Sequence, residues 1–225
     1  MVLDPGCGTG QLSLPLAERG LKVRGIDISS DMASLANAKV RPEWDALYAV
    51  GDVRDIGFEA GTFDAVVVSK LFQHVEDWQQ GCRELIRVTK PGACIVQINE
   101  RGAFGNAVRR VFSAHADALG LTGRYPGLDP HSDLEPAAFM ATQGCVRVVL
   151  DMPTLGWSAE INHGEALQRL KDRLFAEFWY LPTDIHDRLV AATSRWVDLQ
   201  PAGPTTVQVL KPFLVVQAFR TPRRA

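Results

Sequence analysis

The chain has 225 residues, of which 46% are hydrophobic and 22% charged, and a formal net charge of −2. That composition fits a soluble globular chain with a sizeable core, excludes a disordered one, and speaks against a broad nucleic-acid footprint. No apolar run approaches the roughly 18 residues of a membrane helix, and no signal peptide precedes the first apolar segment. The cysteines Cys7, Cys82, Cys94 and Cys145 form no C-x-x-C pair, so reduced thiols, no metal site and a cytoplasmic location are expected.

Met1-Val2-Leu3 reads as a strand ending in Asp4, followed by a turn with Gly6, Gly8 and Gly10 at alternate positions. Strands usually run about 5–6 residues, so this one is short and the expectation is a truncated N-terminus. Leu12 to Arg19 reads as a helix ended by Gly20, with Pro15 tolerated only in its first turns. Val23 to Asp27 is the second strand, and Ser29 or Ser30 caps a helix through Ala38, with Asp31 favourable in its first turn. Ala46 to Val50 is the third strand, stopped by Gly51-Asp52.

Phe63 to Val68 is a largely apolar run, as expected of a parallel strand buried on both faces. A helix over about Gln79 to Val88 follows, and Lys90-Pro91-Gly92 turns the chain into strand Ala93 to Ile98. This β-α alternation predicts an α/β, doubly wound parallel sheet.

The second half differs in character. Asn106 to Leu119 and Leu134 to Gln143 read as helices separated by a Gly/Pro-rich loop, Cys145 to Asp151 as the sixth strand and Phe213 to Arg220 as the last. The stretch between those strands is too long for a hairpin loop. Leu167, Leu170, Leu174 and Phe178 form one helical stripe; after Pro182, a second helix capped by Thr183 or Asp184 carries Ile185, Leu189, Ala192 and Trp196. The stripe is read either as core contact or as a substrate lid, with Trp157, Phe175, Trp179, Tyr180 and Trp196 excluding water.

Glycines in the first turn permit positive φ and let a ligand approach main-chain N–H groups. A dinucleotide fingerprint asks for G-x-G-x-x-G, but Gln11 stands where its third glycine would be. An acid ending the first strand, followed by G-x-G-x-G, resembles motif I of the class I S-adenosylmethionine-dependent methyltransferases. Asp27 suits a ribose, which both cofactor types carry; a strand-end acid capping the next turn is the alternative. Gly51-Asp52-Val53, the segment Ser69 to His74 and Lys90-Pro91-Gly92 resemble, in order, the remaining elements of that family. Gln73-His74-Val75-Glu76-Asp77 resembles the ubiquinone-biosynthesis type that acts on small molecules.

The resemblance implies a Rossmann-like seven-stranded sheet of order 3-2-1-4-5-7-6, its last strand antiparallel, with a helical insert over 152–205 between strands six and seven of a single 1–225 domain. It implies S-adenosylmethionine as cofactor, with Asp4 at its methionine amino end and Gly6, Gly8 and Gly10 beneath it. Asp27 would take the ribose, Ile28 the adenine face, Asp52 and the Val53 N–H the adenine edge, and Ser69 the methionine side. His74 is the candidate general base or a pocket-shaping residue, and His163 a weaker candidate. Ser69-Lys70-Leu71-Phe72 lacks the Pro-Pro of amino-methylating nucleic-acid enzymes, none of the cysteines lies there, and the paired glutamates of protein-arginine enzymes are absent. A small-molecule acceptor is therefore expected, with no nucleic-acid or membrane partner. The alternatives are an enzyme acting on RNA or protein, and a truncated cofactor-binding protein without activity.

Overall fold

The computed structural model describes residues 1–102, 105–121, 124–129, 132 and 134–223. Its first strands and helices are β1 (Val2–Pro5), α1 (Leu14–Glu18), β2 (Val23–Asp27), α2 (Ser30–Asn37) and β3 (Ala46–Val50). Then come β4 (Phe63–Ser69), α3 (Trp78–Val88), β5 (Thr89–Arg101), α4 (Ala107–Asp117), α5 (Leu134–Thr142) and β6 (Val146–Val148). The remainder is β7 (Ala159–Asn162), α6 (His163–Lys171), α7 (Thr183–Asp198), β8 (Val207–Leu210) and β9 (Phe213–Arg220).

Seven strands form one sheet in the order β3-β2-β1-β4-β5-β9-β6. Since β7 and β8 make a separate two-stranded sheet, β9 is the seventh strand of the large one, and the expected order 3-2-1-4-5-7-6 is the one found. β1 pairs in parallel with both β2 and β4, whereas β9 runs antiparallel to β6. The chain divides into two compact units, the second comprising Glu100–Pro126 and Pro153–Val215.

In the first unit the core lies between the sheet and α3. Leu3, Val66, Val68 and Ile95 from the strands meet Cys82, Leu85 and Val88 of the helix, all fully buried. Burial of thiols in this apolar setting pushes Cys82 up to about 12, and Cys7 likewise. Glu84 of α3 accepts the Ile56 N–H at 2.8 Å and is paired with Arg87, whose guanidinium donates to the Phe58 and Ile56 carbonyls. A buried carboxylate is tolerable only when its lone pairs are filled this way, and the arrangement fixes the loop after β3.

In the second unit, Phe112 of α4 meets Phe178 edge-on at 4.9 Å. Leu170, Leu189, Val197 and Leu210 complete its core, and Arg109 forms a partly buried ion pair with the buried Glu177.

Several boundaries differ from expectation for local reasons. Pro15 sits in the first turn of α1, so the helix starts at Leu14 rather than Leu12. Lys90-Pro91-Gly92 is not a turn before β5 but a bulge within it, because the register moves from Phe63↔Thr89 to Ala65↔Cys94. The sixth strand pairs only over Val146–Val148. The helical stripe breaks after Lys171, where Arg173 adopts φ +53, and Leu174 is left 60% exposed. The two-stranded antiparallel sheet β7–β8 was not anticipated: only Ile161 and Leu210 are buried, too little periodicity to read as strands. The Ser29 cap is present, its hydroxyl accepting the Met32 N–H.

Candidate functional site

The site begins where β1 gives way to its glycine turn. Gly6, Gly8 and Gly10 have φ of +68, +52 and +78, a region that β-carbon-bearing residues avoid. The N–H groups of Gly6 and Cys7 both donate to the Ile26 carbonyl, at 2.7 and 3.0 Å, binding the turn to the end of β2. Asp27 completes the connection: its Oδ2 accepts the Gly8 N–H at 2.8 Å and its Oδ1 the Ser29 N–H at 2.9 Å. A Cβ at Gly8 would meet nothing within 4 Å, whereas one at Gly6 would lie 2.6 Å from Leu71 Cδ1. The turn is thus open at Gly8 and closely approached by the segment after β4 at Gly6.

Beneath the turn, Asp4 is only 2% exposed and its Oδ2 has no hydrogen-bond partner. Burial pushes its carboxyl up to about 7, against a smaller opposing pull from the Ser13 hydroxyl, and the nearby Asp27 charge adds to the rise. Ser13 also shares a hydrogen bond with the Tyr48 hydroxyl at 3.0 Å.

On the neighbouring strand ends, Ile28 is 73% exposed, an unusual position for a large apolar side chain. Asp52 is gripped by Arg54: Oδ1 accepts the Arg54 backbone N–H at 2.8 Å and Nε at 3.0 Å, and Oδ2 accepts Nη2 at 2.6 Å. That grip holds the carboxyl below its usual range. Val53 packs into the core cluster.

Ser69 ends β4 opposite Ile98, and Lys70 follows in the left-handed region at φ +50. The next residues form the short 3-10 turn Phe72–His74. His74 is exposed on that turn. A small, open cleft lies here, lined by Lys70, Gln73, Gln97, Asn99, Leu128 and Asp129 among others, with Gln73 rather than its neighbour His74 on the lining. Reading motifs along the chain missed Gln97, Asn99 and Asp129. The signal for the first two was present: the inward column of β5 runs Ile95, Gln97, Asn99, turning from apolar to polar at the strand's C-terminal end.

His163 lies in the second unit, as the first residue of α6, with its ring 5.4 Å from that of Trp196. Burial lowers its pKa, and its Nδ1 is unpartnered. Asp4, Asp27, Ile28, Asp52, Val53, Ser69 and His74 all belong to the first unit, as does the glycine turn. Among the described residues no group of three His, Cys, Asp or Glu side chains could hold a metal, and no helix is long and apolar enough to cross a membrane.

Parallel strands ending in acids around an open glycine turn, at the C-terminal edge of a sheet of this order, define the α/β class that binds nucleoside cofactors at its strand ends. The model of a methyltransferase-domain family matches residues 3–96. A demethylmenaquinone methyltransferase from Renibacterium salmoninarum is 28% identical over 169 residues, covering 75% of this chain and 68% of that protein. A putative methyltransferase, YqeM, from Bacillus subtilis is 40% identical over 95 residues, and the match spans 40% of this chain and 38% of that one. The crystal structure of the Bacillus subtilis YcgJ protein superposes with a TM-score of 0.61 at 17% identity, covering 100% of this chain and 92% of the other. Over residues 3–96 the chain is thus similar to the methyltransferase-domain family, and these similarities support S-adenosylmethionine as the cofactor. The residues present fit that family's cofactor: the turn is open at Gly8, Ile28 offers an exposed apolar face, and Asp4 carries an unpartnered buried carboxylate oxygen.

Proposed function

We propose that this chain methylates a small-molecule acceptor by in-line displacement. The observation that carries the reading is the tie between Asp27 and Gly8, which preshapes the glycine turn as a cradle immediately beside the polar cleft after β4. In this reading Asp27 takes the ribose hydroxyls, and Ile28 lies on the adenine. Asp52 and the Val53 N–H meet the adenine edge, and Asp4 and Ser69 lie at the methionine end above Gly6, Gly8 and Gly10. Bound there, the cofactor supplies an electrophilic methyl group on a sulfonium.

The protein's own contribution is then mainly placement. Holding two reactants aligned and dry is worth roughly 7–11 kcal/mol when the geometry is good, so no elaborate side-chain chemistry is demanded. An acceptor that arrives protonated needs a base, and His74 on the turn after β4 is the proposed one, since imidazole takes up protons near neutral pH.

Calorimetric titration with S-adenosylhomocysteine tests the reading. Saturable binding that weakens at least ten-fold in Asp27→Ala, together with transfer of isotopic label from S-adenosylmethionine to a small molecule, is expected. Absence of binding to the wild-type chain overturns it.

A further inference from the structure

We infer that the free edge of the large sheet, residues 146–152, pairs antiparallel with the same segment of a second copy of this chain, across a twofold axis at Val149. The inference is independent of the methyltransferase reading. β6 is the last strand of its sheet and pairs with β9 on one side only. An unpaired edge presents a row of backbone donors and acceptors to any other strand. The segment is bounded by Gly144 at φ +78 and by Pro153, which has no N–H to donate. Between them, the chain from 150 to 152 has no backbone hydrogen-bond partner among the described residues. Val146, Val149, Leu150 and Met152 are exposed there, Val149 to 93%. Large apolar side chains gathered on a bare strand edge mark an interaction surface.

Charge selects the partner. The segment reads Val-Arg-Val-Val-Leu-Asp-Met. Antiparallel pairing with itself about Val149 sets Val146 opposite Met152, Arg147 opposite Asp151 and Val148 opposite Leu150, with Val149 opposite its own copy. The Arg–Asp pair then occurs once on each side of the axis, as a contact between two identical surfaces requires. A register one step away in either direction sets Arg147 opposite Leu150 or Met152, and both charges then face apolar side chains. Alternation along the strand puts 147, 149 and 151 on one face and 146, 148, 150 and 152 on the other. One face therefore carries the charge pairs around a valine, and the other is wholly apolar. Arg147 and Asp151 are both exposed, and among the described residues neither has an ion-pair partner of its own. A different protein would have to carry the reversed pattern, whereas a second copy carries it necessarily. Seven residues a side fall short of the roughly 20–30 of a standard interface, so the dimer is a reversible one, with a Kd on the order of 10 μM.

Sedimentation velocity over a concentration series, from about 1 to about 200 μM, tests the pairing, and wild type is expected to pass from monomer to dimer within it. Arg147→Asp and Asp151→Arg each set like charges opposite one another on both sides of the axis, which destabilises a strand pair. Each single variant is therefore expected to associate at least ten-fold more weakly than wild type. Its melting temperature should be unchanged at low concentration, because both side chains are exposed. An equimolar mixture of the two single variants restores opposite charges at both positions, as does the double variant Arg147→Asp/Asp151→Arg with itself. Both are expected to dimerise like wild type. The mixture is read against the same two chains kept apart, so a loss caused by misfolding cannot pass for a loss of pairing. Wild type that stays monomeric throughout overturns the inference and leaves the edge to a different partner. A dimer equally strong in both single variants overturns it as well, since the copies would then meet elsewhere, and so does a mixture that associates no better than either variant alone.

Discussion

The carboxylate of Asp27 accepts the N–H of Gly8 at 2.8 Å, so the acid that ends one strand holds the turn that follows another. Its second oxygen accepts the Ser29 N–H at the start of α2. One side chain therefore fixes a glycine turn and a helix start at once, leaving further lone pairs for a ligand's hydroxyl groups.

Removing it should loosen both. Hydrogen bonds to a charged group contribute about 1.5–3 kcal/mol each, so Asp27→Ala is expected to lower the melting temperature and to weaken S-adenosylhomocysteine at least ten-fold. Asp27→Asn keeps one carbonyl acceptor and should retain much of the stability while still losing affinity. Parallel calorimetry and thermal melts separate the two effects, and a variant that binds like wild type would remove Asp27 from the cofactor site.

Asp52 behaves differently, because Arg54 already covers the carboxylate face that an adenine amino group would use. Cofactor binding then has to exchange one partner for the other. Arg54→Ala is expected to tighten S-adenosylhomocysteine a few-fold with little change in melting temperature, as befits a solvent-exposed pair. Raised salt should narrow the difference between wild type and variant, since exposed ion pairs are screened. Asp52→Ala should weaken binding in both backgrounds.

These contrasts show what was legible in the sequence. The glycine spacing, the acids Asp4, Asp27 and Asp52, and the β-α alternation each follow from local rules, so a doubly wound parallel sheet could be read directly, whereas the strand order came only through the family resemblance that those motifs carry. The partners of those acids could not. That Asp52 is turned toward Arg54, or that Asp27 satisfies Gly8, depends on rotamers and on strand adjacency that no linear spacing encodes. Arg173 breaks the stripe Leu167, Leu170, Leu174 by a left-handed φ in a residue that seldom adopts one. Gln97 was legible in principle, as a polar residue at the end of an apolar column, but it belongs to no motif.

Asp4 makes stability depend on pH in a definite direction. Its folded carboxyl titrates at about 7, above the ordinary 3.8, because burial disfavours the charged form. The unfolded chain thus loses this proton first as pH rises. The stability tied to the proton is fully present below about pH 4 and is lost progressively up to about pH 7, on the order of a few kcal/mol in all. Asp4→Asn, which keeps a neutral side chain at every pH, should not show that loss. Urea unfolding of both proteins across this window checks it: the gap should open in favour of the variant as pH rises, and a constant gap would mean that Asp4 is ionised throughout.

Gly127 joins a distant segment to the turn after β4, and its lack of a side chain is what permits the join. Its N–H donates to the Gln73 carbonyl at 3.1 Å, and the Leu128 N–H to the Phe72 carbonyl at 3.0 Å. A Cβ there would overlap the carbonyl oxygens of Phe72 and Val75, which are backbone and cannot swing aside. Gly127→Ala should therefore push the 3-10 turn away from Leu128, and Gln73 and Leu128 both line the cleft. Overpacking of this kind costs about 1–3 kcal/mol, so a clear fall in melting temperature is expected together with a raised KM for the acceptor. Gly57→Ala is the matched control, because a Cβ at that position meets nothing within 4 Å and its φ lies outside the left-handed region. There the loss of backbone freedom in the unfolded chain should leave stability equal or slightly higher. If both alanine variants melt and turn over alike, Gly127 does not shape the cleft.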